Sequence, residues 1–129
     1  MKQLTKAEEQ VMQFLWSLKE AVVKDIVDRF DEPKPAYTTV ATVLKVLEKK
    51  GFADHKTIGN THLFFPVISR KEYARLQFRS LLEDYFQGSF PKLATFFAHE
   101  NNLSMSELEE MLRMTESELN KENPKNSGL

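Results

Sequence analysis

The sequence predicts a mainly α-helical chain, a winged helix-turn-helix of three helices and a β-hairpin wing, followed by a helical dimerisation segment. Three observations carry that reading. Helical periodicities follow one another with clear punctuation between them, and a Gly59-Asn60 pair interrupts a run of strand-forming residues. Charge is also uneven: residues 37–75 hold seven Lys or Arg against three Asp or Glu, while residues 76–129 hold five against nine. A basic middle beside an acidic end suits a segment that meets a polyanion.

The first helix is expected over residues 6–17. Thr5 and Glu8 form a capping box, and Ala7, Val11, Phe14, Leu15 and Leu18 recur at helical spacing. Ala21-Val22 reads as a brief extended piece. A second helix follows at about 23–30, with Val23, Ile26, Val27 and Phe30 on one face. Its cap is poor, because Val23 stands where Ser or Asp is preferred, and Pro33 and Pro35 end it.

The third helix, about 37–50, has Val40, Val43, Leu44 and Leu47 on one stripe and Thr38, Thr42, Lys45 and Lys49 opposite. Lys49 and Lys50 suit the negative end of the helix dipole, and Gly51 supplies the stop. Residues 53–67 switch to strand chemistry around the Gly59-Asn60 turn, which sets Thr57 opposite His62. A capping pair, Ser69 and Glu72, opens a helix to about Phe86, broken by Gly88 and Pro91. A short aromatic helix, Lys92 to His99, comes next. Ser104 and Glu107 then cap a last helix carrying Leu108, Met111, Leu112, Thr115 and Leu119. The domain division expected is 1–69 for the winged helix, 70–119 for the helical segment and 120–129 for a polar, disordered tail.

A helix laid in the major groove needs short donor-acceptor groups in its first turns and positive charge further along. Tyr37, Thr38, Thr39 and Thr42 meet the first need, and Lys45, Lys49 and Lys50 meet the second as phosphate contacts. Lys56, Asn60 and His62 on the wing are expected against the flanking backbone. The bland alternative is that Thr38 or Thr39 is only a helix cap.

Catalytic chemistry finds no footing. The chain has no cysteine, no phosphate-cradling glycine loop, no nucleophile elbow and no HExxH pair. His55 and His62 should lie diagonally on one face of the wing, but with no carboxylate on that face a metal site is not expected. Neither an enzyme nor a cofactor is expected. The N-terminus lacks the apolar core of a secretory signal, and no run of 18 apolar residues occurs, so a cytoplasmic protein without membrane insertion is expected.

The second half carries a large apolar load. Leu76, Leu82, Tyr85, Phe86, Phe96, Phe97, Leu108, Met111 and Leu112 need cover, and a homodimer interface is the expected one, since palindromic DNA is read by two-fold dimers. Packing within one chain is the alternative. Two other functions stay open: a winged-helix protein-protein module, and a regulator that senses a small molecule between its aromatic helices.

The opening helix, Leu4-Thr5 through Val11-Met12 and Leu15-Trp16, resembles that of the penicillinase and methicillin-resistance repressor family. So does Tyr37-Thr38-Thr39-Val40-Ala41-Thr42-Val43-Leu44 followed by Leu47-Glu48-Lys49-Lys50-Gly51, and the likeness covers about residues 3–119. The resemblance implies a dimeric repressor of a resistance or stress operon, relieved when a membrane sensor-protease triggers its cleavage. It places DNA contacts at Thr38, Thr39 and Thr42 and in the wing near Lys56 to His62. It places the cut at Phe96 and Phe97, where the cleaved members have Asn-Phe. The positions of Thr38 and Ala41 are basic in the best-known members, so the operator need not be theirs.

Overall fold

Thr5 caps the first helix as its sequence demands. Its hydroxyl accepts from the Glu8 N–H at 3.2 Å, and the Glu8 carboxylate accepts from the Thr5 N–H at 2.9 Å. In the computed structural model, which describes residues 3–122, helix α1 then runs over Lys6–Leu18. Ala21 is extended and exchanges both backbone hydrogen bonds with Phe64. Helix α2 covers Val23–Arg29 and α3 covers Tyr37–Lys49. Val22 has no side-chain oxygen to offer α2, so only the reverse arm forms, with Asp25 accepting the Val22 N–H at 3.3 Å. Phe30 falls just outside α2, its ring edge-on to Phe14 at 4.9 Å.

The end of α3 is a Schellman turn. Gly51 takes φ +85°, its N–H reaches the Glu48 carbonyl, and the Phe52 N–H reaches the Leu47 carbonyl at 2.9 Å. Phe52 and Leu47 are both fully buried, which supplies the apolar contact that accompanies this motif. The chain reverses into strands β1, Ala53–Ile58, and β2, Thr61–Pro66, paired antiparallel with Thr57 opposite His62. Gly59 has φ +62° while Asn60 does not share a positive φ. That pattern is the II′ hairpin turn, in which glycine holds the first central position.

Helices α4 (Arg70–Phe86), α5 (Phe90–Glu100) and α6 (Met105–Glu122) complete the order. The chain forms two compact units, one through Gln77 and one from Phe78 onward. The first is a winged helix whose core is Val11, Met12, Leu15, Ile26, Val40, Leu44, Leu47 and Phe52, with the Ala21 bridge tying the wing to it. The first turns of α4 are held there too. Tyr73 is buried against Trp16 and Phe52, with ring centroids 5.7 and 5.8 Å away. The Trp16 indole N–H donates to the Ile68 carbonyl at 2.8 Å.

The second unit holds the rest of α4 with α5 and α6. Helix α5 begins earlier than Lys92 because Ser89 caps it and Pro91 fits the first turn, where its missing N–H has no helical partner anyway. Both arms of the Ser104–Glu107 box form, at 3.2 and 2.9 Å. Helix α6 continues to Glu122, into the segment expected as a tail; residues 123–129 lie outside those described. No side chain of α5 or α6 is buried.

Candidate nucleic-acid interface

Helix α3 presents its polar stripe outward because its apolar stripe is consumed by the core. Val40, Leu44 and Leu47 are buried, and Tyr37, Thr38, Thr39, Thr42, Lys45 and Lys49 are exposed. The N-cap is Ala36, with no side-chain acceptor, so neither Thr38 nor Thr39 is the cap. Both stand in the first turn with their hydroxyls on the surface. The Thr42 hydroxyl donates to the Thr38 carbonyl at 2.9 Å. Its proton is therefore engaged, leaving a methyl group and oxygen lone pairs for a partner.

Between α3 and the wing lies a cleft of about 330 Å³ that gathers four of the expected residues: Tyr37, Lys45, Asn60 and His62. Its floor is apolar, with Val22, Val23, Ala41 and Phe64. Lys56 points elsewhere, to Glu20 at 3.2 Å, with both side chains about half exposed. Such a surface pair is weak and yields readily to a phosphate.

Lys50 is a correction. Read from sequence as a phosphate contact beside Lys49, it is instead committed to the head, donating to the Glu8 carboxylate at 2.6 Å and to the Gln3 carbonyl at 3.2 Å. The histidine pair needs a second correction. His55 and His62 do share a face, with rings stacked at 4.2 Å and only 9° apart. Carboxylates do reach them, however: Glu48 Oε2, from α3, lies 2.7 Å from His55 Nδ1, and the Asp54 carboxylate, from the start of β1, lies within 4.8 Å of the ligand atoms of both Glu48 and His55. The Schellman turn brings β1 back along the last turn of α3, a reversal that strand alternation alone does not reveal.

The residues expected at a dimer interface lie on α4, α5 and α6. Leu76, Tyr85, Phe96, Phe97, Met111 and Leu112 are exposed, and Leu82, Phe86 and Leu108 are half-buried. Phe86 and Phe96 touch, with ring centroids 5.3 Å apart. With Leu81, Tyr85 and Leu93 they line an apolar hollow of about 530 Å³.

A family model described as penicillinase repressor matches residues 4–117. The chain belongs to the penicillinase repressor family. Among similar proteins, the methicillin resistance regulatory protein MecI of Staphylococcus aureus (strain N315) is 24% identical over 110 residues, 84% of this chain and 89% of the relative. MecI of Mammaliicoccus sciuri shows the same identity and coverage. The penicillinase repressor of Bacillus licheniformis is 23% identical over 120 residues, 92% of this chain and 94% of its own length. Membership in the penicillinase repressor family makes this chain a transcriptional repressor and not an enzyme. Among the described residues of this repressor, no helix is long and apolar enough to cross a membrane.

Proposed function

We propose that this repressor binds a palindromic double-stranded DNA operator as a homodimer in the cytoplasm and controls a resistance or stress operon. The observation that carries the reading is the outward face of α3, where Thr38, Thr39 and Thr42 precede Lys45 and Lys49 beside the wing cleft. The threonines, with Tyr37, read base edges, and the lysines meet phosphates. Asn60, His62 and a released Lys56 follow the flanking backbone. The head is residues 1–69 in this reading and the pairing segment 70–119, closed by the apolar surface of Leu76, Leu82, Tyr85, Phe86, Phe96, Phe97, Leu108, Met111 and Leu112.

Relief of repression follows from the same division. Two linked heads hold an operator far more tightly than one, so cutting near Phe96 and Phe97 after a membrane sensor-protease signal releases DNA without altering a DNA contact. Selection of bound fragments from genomic DNA tests the reading. Recovered sites should be dyad-symmetric, with half-site centres one helical turn apart, about 34–36 Å, or a multiple of it. Recovery of no sequence above background would overturn it.

A further inference from the structure

Glu48, Asp54 and His55 bring their ligand atoms within 4.8 Å of one another. They come from two elements: Glu48 from the last turn of α3, and Asp54 and His55 from the start of β1. We propose that these three side chains bind a first-row transition-metal dication of the Zn²⁺ class, stapling the end of α3 to the base of the wing.

Charge points the same way as distance. Two carboxylates converge on one imidazole, and among the described residues neither has a Lys or Arg within ion-pair distance. Other acidic groups of the head, Glu8, Glu20 and Asp28, each have a lysine. Glu48 moreover stands at the C-terminal end of its helix, where the dipole already disfavours negative charge. A dication relieves both repulsions.

The ligands are also held in advance. Asp54 accepts the His55 backbone N–H at 2.8 Å, which fixes its carboxylate beside the ring. His62 stacks on the His55 imidazole, and Phe64 lies 5.3 Å from the same ring. The Glu48–His55 contact at 2.7 Å has room to open, since ligand atoms sharing one ion at 2.0–2.2 Å lie about 3–4 Å apart. The ion takes the place of the hydrogen between Glu48 and His55, and that proton leaves to solvent. One imidazole with two carboxylates favours Zn²⁺, Co²⁺ or Ni²⁺ over Mg²⁺, which prefers an all-oxygen shell.

The site owes nothing to DNA binding, so its test omits DNA. Tag-free, chelator-treated full-length protein at tens of micromolar is titrated with Zn²⁺ by calorimetry, a range that detects micromolar affinity. Uptake of one equivalent is expected, with a rise in Tm that Mg²⁺ does not produce. Glu48→Gln and His55→Ala should each weaken uptake about tenfold or more while far-UV circular dichroism stays unchanged. If His55→Ala does not fold, Glu48→Gln and Asp54→Asn decide. No saturable uptake by the unsubstituted chain, an equal response to Mg²⁺, or uptake unchanged in the folded variants would each overturn the proposal.

Discussion

Lys50, the C-cap of α3, donates to Glu8 of α1 at 2.6 Å, joining residues 42 positions apart across the edge of the core. Glu8 is 8% exposed. Burial alone would raise its carboxyl pKa, but the Lys50 ammonium and the Thr5 N–H and hydroxyl outweigh it and hold the group below the usual glutamate range. Replacing Lys50 by Met keeps the stem's packing and removes the charge, leaving Glu8 half-partnered. The expected loss is about 1–3 kcal/mol, the range for removing one partner of a charged hydrogen bond. Urea unfolding followed by Trp16 fluorescence measures it, and an unchanged midpoint would show that the pair contributes nothing.

The same contact sets an acid limit. A carboxyl whose pKa is lower folded than unfolded adds stability that is fully present above the unfolded value, about 4.3, and is lost as pH falls through the folded value. Glu107 acts in the same direction, its carboxylate held by the Ser104 N–H and hydroxyl. Urea midpoints should therefore fall between about pH 5 and pH 3. In Glu8→Gln the fall should be shallower. Parallel curves for the two proteins would remove Glu8 as a cause.

Much of the fold was legible because its signals are local. The Thr5–Glu8 and Ser104–Glu107 boxes and the Gly51 stop each involve groups no more than five positions apart, and the Gly59-Asn60 turn fixed the register that stacks His55 on His62. Lys50 on Glu8 and Glu48 on His55 were not legible. Helix periodicity says which side of α3 each residue occupies, but not which neighbour a long side chain finds after the chain reverses at Gly51. The start of α5 was hidden differently: Pro91 reads as a breaker, yet it is tolerated in a first turn capped by Ser89.

Two substitutions on α3 should separate reading from holding. Thr42→Ala removes a methyl group and lone pairs that face outward, and the Thr38 carbonyl it frees is exposed, so folding is undisturbed. It should lose about 1–3 kcal/mol of binding to the selected operator and little to random DNA. Lys49→Ala should weaken both and reduce the salt slope by about one. Gel shifts at two salt concentrations measure both effects. Wild-type binding by both variants would move the interface off this face.

Trp16 joins α1 to the segment leading into α4. Trp16→Phe retains much of the packing against Tyr73 but deletes the 2.8 Å bond to Ile68, leaving a buried carbonyl without its donor. About 1–3 kcal/mol of stability should be lost. Thermal unfolding by circular dichroism measures the change; a Tm equal to that of the wild type would mean that water replaces the indole at Ile68.

Pairing is tested on Phe96, which packs on Phe86 yet remains 51% exposed in the single chain. Covering such rings is worth about 1.5–3 kcal/mol each, and with Leu81, Tyr85 and Leu93 lining the same hollow a second copy gains much by docking there. Phe96→Asp sets a carboxylate in the middle of that surface, where burial without a partner is strongly unfavourable. Sedimentation at tens of micromolar should then report a monomer, in a range where even modest interfaces associate. Phe96 belongs to the second unit, and every DNA-facing residue named above belongs to the first, so the heads should keep their fold and their contacts. Operator affinity should nevertheless fall by about 10²-fold or more, because the second head no longer binds at high effective concentration. Binding to a single half-site should be unchanged. A Phe96→Asp dimer would move the interface elsewhere on the chain, and a monomer that held the full operator like the wild type would show that one head suffices.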